Sequence, residues 1–285
     1  MDYLNCTLCP RQCGADRTAG KTGFCGCPGT ALVAKSMLHK WEEPALAGSG
    51  GSGAVFFGGC TLRCRYCQNA AISGGAVGKA MDSAQLRALF EDLIARGAEN
   101  IDLVTPTHFL PDILPALSPK LPVPVVYNCG GYERVETLRK LEGKIDIYLP
   151  DLKYADPRLA SALSGAADYF PVATAAIREM VRQTGPVQWV GDKITKGVII
   201  RHLILPGFVD NSLRALDWIG ENFVPGEVLV SLMRQYTPMG GLPAPLDRQV
   251  TDAEYDAVLS WMYLNELEGF TQEEDSADIG FIPDF

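Results

Sequence analysis

No run in this chain approaches the roughly 18–20 consecutive apolar residues that a membrane-spanning helix needs. Its opening MDYLNCTLCP holds no apolar signal region, so the expectation is a soluble, cytoplasmic protein without a membrane partner. Positive charge is also in short supply. The 25 Lys and Arg stand against 34 Asp and Glu, for a net charge of −9. Such an acidic surface repels phosphate backbones and argues against nucleic acid as a partner. Part of the acidity sits in QEEDSADIGFIPDF, and residues 271–285 read as a solvated or loosely docked tail.

Apolar residues are not lacking. At 285 residues and 47% hydrophobic, the chain has enough for one α/β barrel-like domain or two smaller ones. Nor is cysteine: of nine, eight fall within the first 67 residues. Clustered thiols in a reducing cytosol bind metal more often than they pair as disulfides.

Residues 1–40 are rich in Cys, Gly and basic residues and show little hydrophobic periodicity. With the Gly-rich LAGSGGSG that begins at 46, they suggest an N-terminal Cys-rich module and linker over 1–47, followed by a barrel domain over 48–270. AVFFGGC reads as a short buried strand ending in a tight turn. Further strands are expected at 101–104, 123–127, 145–149, 197–205 and 227–232. Helices are expected at 83–96 (capped by Asp82 or Ser83), 133–141, 157–164, 172–184, 211–222 and 252–268. Six apolar strands alternating with helices predict an α/β fold with a parallel sheet, either doubly wound or a partial, TIM-like barrel. Ligands would gather at the carboxyl ends of the strands.

The loop after the first of these strands is GGCTLRCRYCQN, with Cys60, Cys64 and Cys67 and no fourth cysteine beside them. A structural zinc wants four protein ligands, so a distant Cys or His would have to complete it. A cubane of four irons held by three thiolates leaves one iron free for another ligand. Gly58-Gly59 permits the backbone a close approach in either case.

The Cys60-x3-Cys64-x2-Cys67 spacing, with Tyr66 before the last cysteine, resembles the signature of radical S-adenosylmethionine (SAM) enzymes. GSGAVFFGGC, CQN, the DLK ending at Lys153 and Arg201 in IIRHLILPGF are most similar to the branch of pyruvate formate-lyase activating enzymes. The resemblance covers about residues 48–240 and implies a partial (β/α)6 barrel binding a 4Fe–4S cluster and SAM. It implies reductive cleavage of SAM to a 5′-deoxyadenosyl radical that abstracts hydrogen from a substrate. That substrate would be a small molecule, a peptide or a glycyl residue of a partner enzyme, with a flavodoxin- or ferredoxin-type electron donor.

On the same resemblance, Tyr66 and Asn69 flank the cluster as cofactor contacts. Asn128 stands where the family binds ribose, and Lys153, with Asp151, would neutralise the methionine carboxylate. Where the family carries Gly-Gly-Glu, this chain has Thr105-Pro106-Thr107-His108. The hydroxyls and carbonyls there can accept hydrogen bonds from the ammonium, or simply cap the strand. His108 is a candidate cofactor or substrate contact. Arg201, inside an apolar strand, needs a carboxylate or cofactor partner, whereas His202 alternates to the other side as a structural residue.

In the head, Cys6, Cys9, Cys13 and Cys25 can close a second metal site, either zinc or an auxiliary iron–sulfur cluster. Cys27 is a spare or alternative ligand, and isolated Cys129 is a packing residue. His39, Glu42 and Glu43 either line the barrel mouth or form a solvated linker. The rival to an enzyme is an electron-transfer or scaffold protein that holds metal without binding SAM.

Overall fold

The computed structural model describes residues 1–272, so nearly all of the expected acidic tail lies outside the described residues. The described strands are β1 (Ala31–His39), β2 (Ser52–Phe57), β3 (Lys79–Met81), β4 (Ile101–Val104), β5 (Val125–Cys129), β6 (Ile147–Pro150), β7 (Gln188–Val190), β8 (Lys193–Leu203), β9 (Leu229–Met233) and β10 (Gly269–Thr271). They form one sheet in the order β10-β9-β8-β6-β5-β4-β2-β1-β3, with β7 hydrogen-bonded to β8. From β2 to β10 the path is parallel, while β1 runs antiparallel to β2 and β3 antiparallel to β1. Among the described residues the sheet does not close on itself, and the six predicted strands are β2, β4, β5, β6, β8 and β9. The fold is the expected α/β partial barrel.

The helices are α1 (Pro44–Ala47), α2 (Ala70–Ser73), α3 (Ser83–Ala95), α4 (Leu110–Ala116), α5 (Val135–Leu138), α6 (Pro157–Ser164), α7 (Tyr169–Thr184), α8 (Val209–Asn222) and α9 (Asp252–Leu264). Two start at full capping boxes, Asp82 with Gln85 at α3 and Thr251 with Glu254 at α9. Helix α4 is additional to the predicted set. Pro111 fits its first turn and Pro115 sits inside it, which is why the segment reads as helix-breaking. None of the described helices is long and apolar enough to cross a membrane.

Strand alternation sorts the core into two faces. Val55, Leu103, Tyr127, Tyr148, Ile200 and Leu232 point outward into the main core, where α3, α7, α8 and α9 contribute Phe90, Ile177, Leu216 and Val258. Val126, Ile147, Leu149, Ile199 and Leu229 point inward and pack on Ala45 and Leu46 of α1. The short α1 therefore plugs the barrel at the amino ends of its strands. Asn100 fixes it there, its side-chain amide donating to the Leu46 carbonyl at 2.8 Å.

Residues 31–39, grouped with the N-terminal module on sequence, pair with β2 from Val33↔Phe57 to His39↔Ser52. Lys35 and Ser36 are half-buried on this outer strand and mask its periodicity. The head is thus continuous with the sheet.

Candidate active site

The cysteine loop leaves β2 through two glycines whose places no other residue could take without displacement. A Cβ on Gly58 would collide with the Val77 carbonyl, and one on Gly59, where φ is +75°, with Sγ of Cys27. His108 braces this turn from behind, its Nε2 lying 2.8 Å from the Gly58 carbonyl. Arg11 of the head straps the loop in place by donating to the carbonyls of Thr61 (3.0 Å), Ser164 (2.8 Å) and Gly165 (2.6 Å). Gln68 ties its far end to the Gln235 carbonyl beyond β9, at 3.0 Å.

Cys60, Cys64 and Cys67 are each partly buried. Burial, followed by the charges of Cys64 and Cys67, pushes the Cys60 thiol up to about 12, and burial with Cys64 likewise raises Cys67. Thiols that oppose one another's ionisation in a dry site are the donor set that a cationic cluster relieves, because metal ligation requires thiolates. Cys64 Sγ also accepts a hydrogen bond from Ser164 Oγ at 3.0 Å, and Ser164 Oγ lies 2.7 Å from the Tyr154 hydroxyl. The loop therefore fits an iron–sulfur group on two counts: glycine-only backbone turns and a fixed donor to one sulfur.

Beside the loop opens a cavity of about 240 Å³. Six of the nine predicted cofactor contacts line it: Tyr66, Asn69, Asn128, Asp151, Lys153 and Arg201. Asp151 is its electrostatic centre, accepting from Lys153 Nζ at 2.6 Å and from Arg201 Nε at 3.0 Å. Burial disfavours its charge, yet Arg201 and Lys153 together hold the carboxyl below the usual range. Burial likewise works against the Lys153 ammonium, but Asp151 and then Cys64 keep its pKa raised. Arg201 also donates to Asn128 Oδ1. Tyr66 packs against Tyr154 and Tyr236, with ring centres 6.4 and 6.0 Å away, and walls off water.

The structure does not bring Thr105, Thr107 and His108 to this cavity. Residues 107–109 form a tight helical turn that buries their side chains. Thr107 Oγ1 donates to buried Glu133 at 2.7 Å, whose carboxyl burial pushes up to about 8. Burial also lowers His108 to about 4, so it braces Gly58 as a neutral ring. Thr105 adopts φ +58° and gives its backbone N–H to Asn128.

His39 and Glu42, one half of an open alternative on sequence, do line the cavity. Glu42 lies 3.4 Å from Asn128 Nδ2 and 3.7 Å from Arg201 Nη1. Asp102, hidden in the apolar-looking IDLV, escaped sequence reasoning and joins the same group through Asn128 Nδ2 at 3.3 Å. His202 faces outward to the Leu152 carbonyl and Ser212, and Cys129 is buried in the outer core.

In the head, Cys6, Cys9, Cys25 and Cys27 are buried and Cys13 is exposed. Among the described residues, no three His, Cys, Asp or Glu side chains converge on one ion-sized position, there or at the loop. The head is organised around Arg17, only 1% exposed, which donates to the carbonyls of Cys27, Pro28 and His108 and stacks on Tyr3.

A family described as a 4Fe-4S single cluster domain matches residues 46–107. An uncharacterized protein of Methanocaldococcus jannaschii is 28% identical over 250 residues, covering 83% of this chain and 67% of its own. A radical SAM methyltransferase from Sphaerobacter thermophilus superposes with a TM-score of 0.53 at 13% identity, over 81% of this chain and 69% of that one. SuiB of Streptococcus suis, solved with the precursor peptide SuiA, gives 0.50 at 16% identity over 75% of this chain, which spans 47% of SuiB's length. The chain shares the fold of that radical SAM methyltransferase, and its match to a 4Fe-4S single cluster domain spans the segment that carries Cys60, Cys64 and Cys67.

Proposed function

We propose that this protein is a radical SAM enzyme whose three loop cysteines hold a 4Fe–4S cluster beside a SAM site. The observation that carries the reading is the convergence of that loop with Lys153, Asp151, Asn128 and Arg201 on one cavity. When bound, the cluster and SAM would supply an electron and a primary carbon radical able to take hydrogen from a substrate. The chain's own part is to orient and to exclude water. Lys153, held by Asp151, presents an ammonium for the methionine carboxylate. Tyr66 seals one wall, and Asn128 and Asn69 offer donors and acceptors to the nucleoside.

Relatedness to the pyruvate formate-lyase activating branch is part of the proposal, but a glycyl-enzyme substrate is not its favoured form. Arg11, together with Arg134, which donates to the Thr7 carbonyl at 2.6 Å, lays the head across the rim where a partner enzyme would dock. That supports a small-molecule or peptide substrate, with a flavodoxin- or ferredoxin-type protein as electron donor. The test is anaerobic reconstitution followed by assay for dithionite-dependent 5′-deoxyadenosine. Its absence from iron-loaded protein would refute the reading.

Two predictions arise here. Lys153→Ala removes a charge-assisted contact worth about 1.5–3 kcal/mol, so calorimetry should show SAM binding weakened roughly 10- to 100-fold with iron content unchanged. Ser164→Ala removes the donor to Cys64 Sγ. A hydrogen bond worth about 1 kcal/mol to the more negative, reduced cluster corresponds to a midpoint potential lower by roughly 40 mV, measurable in an EPR-monitored redox titration. An unchanged potential would remove Ser164 from the cluster's surroundings.

A further inference from the structure

The inner face of the barrel carries more carboxylates than its cations can neutralise. Asp151, Glu42, Glu43 and Asp102 all act on Arg201, and Asp151 also engages Lys153. Asp151 engages both at 2.6 and 3.0 Å, so Glu42 reaches a cation only at 3.7 Å, from Arg201, beside its 3.4 Å contact with the Asn128 amide. Asp102 is fully buried, and its carboxyl meets the shared Asn128 amide at 3.3 Å and the neighbouring Glu42 carboxyl. Its other oxygen, Oδ1, meets no donor among the described residues. On the cavity wall nearby, His39 Nδ1 is likewise without a partner. A buried carboxyl oxygen left without a donor is costly, and natural interiors rarely keep one without a ligand or water to meet it.

We propose that the barrel interior receives the cationic nitrogen end of its substrate, an alkylammonium or guanidinium group, on Glu42 and Asp102. This rests on the SAM reading for its placement of substrate inside the barrel. The cofactor does not itself balance the surplus. A sulfonium, an ammonium and a carboxylate leave SAM one positive charge, which three thiolates on a 4Fe–4S core offset. The acids of the floor remain over. Burial and the neighbouring Glu42 charge push the Asp102 carboxyl well up, so a proton takes the place that a cation would otherwise fill.

The probe is butylammonium, with butyrate and 1-butanol as anionic and neutral controls of equal length. Each is titrated calorimetrically into the iron-loaded chain with and without saturating SAM. Butylammonium alone should bind, SAM should not displace it, and Asp102→Asn and Glu42→Gln should each weaken it about tenfold or more. No binding to the wild-type chain, equal binding of butyrate or butanol, displacement by SAM, or wild-type affinity in both variants would overturn the proposal. Glu42→Gln lies at the cavity wall and keeps the test open should Asp102→Asn fail to fold. The same preparation assayed for 5′-deoxyadenosine reports separately on the parent reading, which can fail while butylammonium still binds.

Discussion

Cys64→Ala is expected to bring dithionite-dependent 5′-deoxyadenosine to background and to erase the visible absorption of the loop cluster. Two thiolates cannot hold a cubane at three corners. Cys64 is also held in place, with Ser164 at 3.0 Å and the Lys153 ammonium among its charged neighbours. Iron analysis and absorption spectra of anaerobically reconstituted protein check the first half, and product chromatography the second. Cys129→Ala is the control, because that thiol is 2% exposed on the outer face of β5 and should leave iron and product unchanged. Cleavage of SAM that survives in Cys64→Ala would break the assignment of the site.

Arg201→Met is expected to be the most destabilising single change in the barrel interior. Its guanidinium bonds Asp151 at 3.0 Å and Asn128, and approaches Glu42 at 3.7 Å. Removing it strands buried carboxylates rather than merely deleting a bond. Breaking a buried pair in this way costs about 3–5 kcal/mol, or a melting temperature lower by roughly 6–15 °C in a chain of this size. Arg96→Met, which dissolves an exposed pair with Asp92, should cost less than about 1 kcal/mol. Thermal unfolding followed by circular dichroism separates the two. Equal melting points would mean that the Arg201 network contributes no more than a surface pair.

The parallel strands were legible because strands buried on both faces read as short continuous apolar runs. In VIIRHLIL, alternation alone placed Arg201 inward and His202 outward, as observed. Legibility failed where contacts are remote in sequence. Glu42 and Asn128 meet across 86 residues, and no local pattern announces that a polar HKWEEP segment folds into a barrel. Asp102 was concealed by its neighbours Ile101, Leu103 and Val104. Thr107 and His108 misled because they follow a strand at the ligand-facing end, yet one tight turn buries their side chains against Glu133 and Gly58.

Helix α1 has a kinetic consequence. With Ala45 and Leu46 stoppering the amino ends of the strands, traffic to the acidic floor is turned toward their carboxyl ends and the unclosed side of the sheet. A side opening of that kind lets the deeper guest exchange while the one beside the cysteine loop stays in place.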